Sequence, residues 1–112
     1  MSERIDKPWG YEIIWANTDN YVGKLLHINS GHRLSKQYHR TKEETIYVLR
    51  GTLHNFDEND VLTRYVPGDS IHIKPGQVHR FAAWSMAPVE LIEVSTTQLD
   101  DVVRLADDYE RS

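Results

Sequence analysis

Cysteine is absent from the 112 residues, which removes disulfide staples, thiolate nucleophiles and cysteine-based zinc clusters together. Any metal must be held by imidazole, carboxylate or amide groups, and six histidines are present. Long apolar runs are missing as well. No stretch approaches the roughly 20 residues of a spanning helix, and Met1-Ser2-Glu3-Arg4-Ile5-Asp6 lacks the apolar core of a secretion signal. A cytoplasmic protein with no membrane partner is expected. Charge of one sign is scarce: thirteen Lys and Arg against seventeen acids leave a net charge of -4. No basic cluster interleaved with aromatics offers a footprint for a phosphate backbone, so no nucleic-acid partner is expected. Six Gly and four Pro do not gather into a linker or repeat, and a chain of this length buries one core rather than two. Residues 1–112 therefore read as one domain.

What is present is a succession of short β-rich runs, at residues 11–15, 21–28, 34–40, 45–49, 52–56, 61–66, 70–73, 78–82 and 89–94. Turn compositions such as Asn29-Ser30-Gly31, Pro67-Gly68-Asp69 and Lys74-Pro75-Gly76 punctuate them. So many strands in so short a chain predict an all-β sandwich or barrel, the usual way a small β protein disposes of its edges. Only the tail breaks the pattern. Val102, Leu105, Ala106 and Tyr109 recur at helical spacing behind the capping-box spacing of Thr97-Gln98-Leu99-Asp100, which predicts a short C-terminal helix, an acidic frayed tail being the other reading.

The chemistry-bearing stretch is Gly31-His32-Arg33-Leu34-Ser35-Lys36-Gln37-Tyr38-His39, followed by Glu44 and Gly51. Strand alternation puts Arg33, Ser35, Gln37 and His39 on one face, with Glu44 beyond a turn and aimed back at His39. Tyr38 faces away, and Ile46 and Val48 continue inward from Glu44 as an apolar cavity wall. His79, after the Lys74-Pro75-Gly76 turn, adds another ligand-type group. Two imidazoles, a carboxylate and an amide suit one divalent metal: zinc, manganese, iron, cobalt or nickel. Lys36 and Lys42 read as solvated charges. His27, His32, His54 and His72 read as structural or surface residues. Trp9, Trp15, Trp84 and Tyr11 read as core and dimer contacts.

Gly31, His39, Glu44 and Gly51, with Gly68, Gly76 and His79 some thirty residues on, resemble the two motifs of the cupin superfamily. Pro75 is displaced by one place and Ala83 stands where the second motif closes with Asn. Gln37 in place of the first motif histidine is similar to the cupin domain of type II mannose-6-phosphate isomerases. So are Lys7-Pro8-Trp9-Gly10-Tyr11-Glu12, Leu91-Ile92-Glu93-Val94 and Asp100-Asp101-Val102-Val103-Arg104-Leu105. The resemblance implies a double-stranded β-helix, or jelly-roll barrel, whose metal ligands are Gln37, His39, Glu44 and His79. It implies sugar-phosphate aldose-ketose isomerisation, for which Arg33 or Arg80 would hold the phosphate and Glu93 would serve as base if it, rather than Ile92, faces the cavity.

Six residues precede Lys7, and the expectation is that no nucleotidyltransferase accompanies the domain and that it makes no GDP-mannose. Arg40-Thr41-Lys42-Glu43 replaces the His-rich run of the isomerases and is closer to small stand-alone cupins. An iron-dependent dioxygenase and a non-catalytic sugar-binding cupin are the competing readings. Apolar residues around Trp9 and Tyr11 favour a homodimer in which one chain's strand extends its neighbour's sheet.

Overall fold

The protein is described by a computed structural model covering residues 2–109. Its elements are β1 (Glu3–Lys7), β2 (Gly10–Asn17), β3 (Val22–Ile28), β4 (Lys36–Tyr38), β5 (Glu44–Arg50), β6 (Leu53–Phe56), β7 (Leu62–Tyr65), β8 (Ser70–Ile73), β9 (Arg80–Ala82), β10 (Val89–Ser95) and β11 (Val103–Ala106). Every strand expected between residues 11 and 94 is present, although the run at 34–40 shortens to the three residues of β4.

The two ends of the chain add strands that apolar patterning does not announce. β1 folds back on β2 through a tight turn that brings Lys7 opposite Gly10. Gly10 has φ 155°, and a Cβ there would lie 1.9 Å from the His27 carbonyl oxygen, so only glycine fits the turn. The strand expected to reach into a partner's sheet thus pairs within its own chain, and Trp9 is buried there. At the other end, the expected C-terminal helix is replaced by β11, antiparallel to β4 with Val103 opposite Tyr38 and Arg104 opposite Gln37. So short a helix is costly to nucleate, whereas the free edge of β4 offers ready backbone partners. Tyr109, part of the expected helical face, packs on the core cluster instead.

One wall is a six-stranded sheet in the order β1-β2-β3-β10-β5-β8. The other is built from β7-β6-β9 and β4-β11, joined by the bridges Arg33↔Ala82 and Gln37↔His79. Together they form the jelly-roll barrel of a cupin. Gly51, the last glycine of the first motif, has φ 80°, and a Cβ on it would meet the Pro88 carbonyl oxygen at 2.3 Å.

The inward faces of the central strands change character along their length. β3 carries Lys24, then Leu26 and Ile28; β5 carries Glu44, then Ile46 and Val48; β10, running the other way, carries Val89 and Leu91, then Glu93. The apolar ends meet Leu53, Ile71, Ile73 and Phe81 in one core, where each fully buried Ile or Leu contributes about 1.5–3 kcal/mol. The charged ends line a cavity. Ile46 and Val48 belong to the core; the cavity's apolar wall comes from residues such as Trp9, Leu26, Leu34, Phe81 and Val102. On the outer face of the large sheet Trp15, Tyr47, Leu49 and Val94 are exposed. Among the described residues no helix is long and apolar enough to cross a membrane.

Candidate metal centre and its cavity

The cavity has a volume of about 550 Å³ and is lined by Gln37, His39, Glu44, His79 and Glu93, among others. That size suits a small ligand. Its cluster of ligand-type groups comes from three pieces of chain. β4 delivers Gln37 and, just past its end, His39; β5 opens on Glu44; His79 precedes β9 and stands opposite Gln37 across the bridge. Ligand atoms of His39, Glu44 and His79 all lie within 4.8 Å of one another, and all three residues are buried.

Backbone carbonyls set the two imidazoles. His39 Nδ1 donates to the Asp101 carbonyl at 2.5 Å and His79 Nδ1 donates to the Gln77 carbonyl at 3.1 Å. Each ring therefore turns Nε2 toward Glu44 Oε1, at 3.3 and 3.5 Å. Each Nε2 either shares a proton with that carboxylate or offers its lone pair to a cation between them. This second hydrogen bond from a ligating imidazole is how metal sites fix the tautomer. Gln37 Nε2 donates to Ser35 Oγ at 2.9 Å, so its amide oxygen is the atom available to a cation. Burial pushes the Glu44 carboxyl up, but the His39 hydrogen bond and the charges of Lys42 and His79 outweigh it and hold the group well below the usual carboxylate range. Burial also pushes the His79 imidazole down, toward the neutral form a metal needs. The donor set thus fits a divalent cation of the borderline kind.

The sequence profile of the family described as mannose-6-phosphate isomerase C-terminal matches residues 1–107. The chain belongs to that family. A mannose-1-phosphate guanylyltransferase of Escherichia coli K12 is 36% identical over 115 residues, covering 99% of this chain and 24% of the relative. The chain therefore spans about a quarter of that relative's length. Among solved structures, a conserved Klebsiella pneumoniae protein with a double-stranded β-helix domain superposes with a TM-score of 0.75 at 22% identity, covering 94% of this chain and 85% of the other. A sugar phosphate isomerase of the cupin superfamily from Silicibacter pomeroyi gives 0.70 at 22% identity, covering 77% and 58%. Both likenesses concern the cupin fold.

In this family member Gln37, His39, Glu44 and His79 are brought together, and Glu93 joins them. The parity left open by sequence is settled: Glu93 faces the cavity and Ile92 the other side of β10. Arg33 and Arg80 do not join them and are absent from the cavity lining. Arg33 grips Asp108 through two hydrogen bonds of 2.7 and 3.0 Å, and Arg80 binds the same carboxylate at 3.0 Å and the Leu34 carbonyl at 2.9 Å. Alternation misplaces Arg33 because residues 33–35 are not regular strand; Leu34 takes the inward position.

Lys36 lies at the surface beside Asp60 and the Glu58 carbonyl. His27 stacks on Tyr11 and pairs with Glu90, His72 pairs with Glu43, and His54 accepts from the Trp84 amide at 3.4 Å.

Lys42 is the principal correction. Read as a solvated turn residue, it is 4% exposed and sets its Nζ 3.1 Å from Glu44 and 3.0 Å from Glu93. Burial lowers its pKa, but the two carboxylates raise it further, so it stays charged. Burial pushes the Glu93 carboxyl up to about 7, Glu44 adding to the effect and Lys42 and Lys24 opposing it. The turn points inward because Asp101 draws it in: its carboxylate accepts the amides of Arg40, Thr41 and Lys42 at 3.0, 2.7 and 2.8 Å. Lys24, Glu12 and Lys7 also line the cavity. For Lys24 the signal was in the sequence, a lone cation in register with Val22, Leu26 and Ile28.

Proposed function

We propose that residues 1–112 are one cupin domain that binds a divalent metal through Gln37, His39, Glu44 and His79 and isomerises a phosphorylated aldose to its ketose. One observation carries this reading. A buried carboxyl of raised proton affinity, Glu93, stands one lysine away from a cluster whose two Nε2 atoms converge on one glutamate. Family membership supports mannose 6-phosphate as the first substrate to try. A cation held there would supply Lewis-acid polarisation of the sugar's carbonyl and hydroxyl oxygens.

The chain's own residues do the rest. Glu93 accepts the proton from the carbon beside the carbonyl and returns it to the former carbonyl carbon, while the hydroxyl proton passes between the two oxygens. A carboxyl with proton affinity near neutrality suits both halves of the transfer. Lys42 holds the Glu93 carboxylate in place through its 3.0 Å contact and keeps its charge throughout. Apolar walls at Trp9, Leu34 and Phe81 limit the water that reaches the reacting carbons.

The test is turnover of mannose 6-phosphate in deuterated water by the metal-loaded chain. Ketose product with deuterium at the transferred position, lost in Glu93→Gln at unchanged metal content, is expected. Neither product nor exchange in the loaded wild type would overturn the reading. Two histidines and a glutamate also match the facial triad of ferrous oxygenases, and oxygen consumption by the iron-loaded chain with no isomerisation would favour that alternative.

A further inference from the structure

Charged residues cross the large sheet as a diagonal row of alternating sign: Glu44 on β5, Lys42 beside it, Glu93 on β10, Lys24 on β3, Glu12 on β2 and Lys7 at the end of β1. Lys42 joins Glu44 to Glu93. Glu93 is the direct cross-strand partner of Lys24, Lys24 Nζ lies 3.5 Å from Glu12, and Lys7 Nζ lies 3.9 Å from the same Glu12 oxygen. The two halves of the row do not carry the same charge. With both carboxylates ionised, Glu44 and Glu93 against Lys42 leave one negative charge, an end of the row that favours a cation. Lys24 and Lys7 against Glu12 leave one positive charge over.

Lys24 is 7% exposed and faces the cavity. A buried ammonium has three donors to satisfy and is seldom left short. Among the described residues its Nζ makes a single ion pair, at a distance longer than a hydrogen bond. If Lys24 served only to neutralise Glu12, Lys7 would be superfluous. The other charged residues of the lining sit differently: Glu3 and Asp100 are exposed at the rim, where water screens them, and Arg104 lies on the opposite wall on β11. Lys24 is two strands from Glu44, about 10 Å in the hydrogen-bonding direction, with Glu93 between them.

We propose that Lys24, assisted by Lys7, forms an anion-binding subsite at the end of the cavity remote from the metal ligands, and that it takes the phosphate group of an elongated substrate. A phosphorylated sugar laid along the row places its phosphate on Lys24, its reacting carbons over Glu93 and its oxygens beside Gln37, His39, Glu44 and His79. Only this order of groups rests on the isomerase reading; anion capture by Lys24 stands without it. The row also supplies what Arg33 and Arg80, committed to Asp108, do not.

The experiment is a phosphorus-NMR titration of the metal-stripped full chain with inorganic phosphate, so that no cation competes for the probe. Saturable binding by wild type, weakened about tenfold or more in Lys24→Gln and a few-fold in Lys7→Gln, is expected. Lys24→Gln should keep its metal content, and His79→Ala should lose metal yet bind phosphate like wild type. Should Lys24→Gln fail to fold, Lys7→Gln and Glu12→Gln decide, the first weakening phosphate binding and the second tightening it. Absence of saturable binding in wild type, or wild-type affinity in a folded Lys24→Gln, overturns the proposal. Phosphate binding together with neither ketose product nor deuterium exchange in the metal-loaded chain would sink the isomerase reading alone.

Discussion

Glu44 and Asp108 each stand between two nitrogen-bearing side chains, His39 and His79 in the first case and Arg33 and Arg80 in the second. Around Asp108 the arrangement is closed. Two guanidiniums, permanently charged, spend their donors on one half-exposed carboxylate and on a backbone carbonyl, and planar fork geometry makes such contacts strong and hard to exchange. Around Glu44 the arrangement is open. Its imidazoles have one nitrogen tied to backbone and the other aimed at a shared point, and the carboxylate is buried with a lysine bridging it to a second acid. Charge density alone does not distinguish a fastening from a working site. What distinguishes them is whether the donors are already spent on one another, and whether a cavity adjoins.

The widest separation between the two clusters is expected from removing each carboxylate. Glu44→Ala should take metal content from near one per chain to near zero, read by elemental mass spectrometry, with the β-type circular dichroism kept. His79→Ala should do the same. Asp108→Ala should leave metal content alone and lower stability to urea by about 1–2 kcal/mol, since Arg80 is buried and loses its counter-charge while Asp108 itself is partly screened by water. Metal loss in Asp108→Ala, or metal retention in both site variants, would erase the distinction.

Acidity sharpens the same contrast with opposite signs. Glu93 is raised from an ordinary 4.5 to about 7 in the folded chain, so its favourable contribution is complete below about pH 4.5 and is lost as pH rises through about 7. Glu44, held low, is already ionised across that window, so the difference in pH dependence between wild type and Glu93→Gln reads the contribution of Glu93. That difference should amount to a few kcal/mol in metal-stripped protein, measured by urea unfolding at pH 4.5 and 8. Asp108, lowered by Arg33, behaves the other way: its contribution is present above about pH 4 and lost in acid. The smallest expected effect is Arg33→Lys, which keeps the charge but gives up the two-pronged contact, at a cost below about 1 kcal/mol.

Much of this was legible in the sequence, and the failures have physical causes. Strand alternation and a short turn, both local rules, put Gln37, His39 and Glu44 in one neighbourhood, whereas His79, on a distant segment, joined them through the resemblance to the second cupin motif. β1 escaped because Glu3-Arg4-Ile5-Asp6-Lys7 has a single apolar residue to declare a face, and its stability comes from a turn that only Gly10 admits. β11 was mistaken for a helix because Val102, Leu105 and Tyr109 keep helical spacing, while a strand as short as Val103–Ala106 declares almost no alternation, and the free edge of β4 that decides the matter is far away in sequence. Lys42 and Asp101 are 59 residues apart: the turn's direction depends on a clamp from a distant segment, and no local pattern encodes it. Arg33 failed for the opposite reason, since an alternation rule was applied to residues that are not extended strand.

The split along β3, β5 and β10, apolar at one end and charged at the other, also bears on how the chain finds its register. Simple inside-outside alternation penalises a one-residue slip between strands but tolerates a slip of two, which returns every side chain to its proper face. Here a two-residue slip of β10 against β5 would bring Glu93 opposite either Glu44 or Val48 in place of Ile46. The first sets two buried carboxylates against each other and the second strands a charge in the core, and either is costly. The acidic and basic side chains of the cavity thus serve as notches that permit a single alignment of the barrel, so the same residues that offer a site to a ligand also remove misaligned folds from competition.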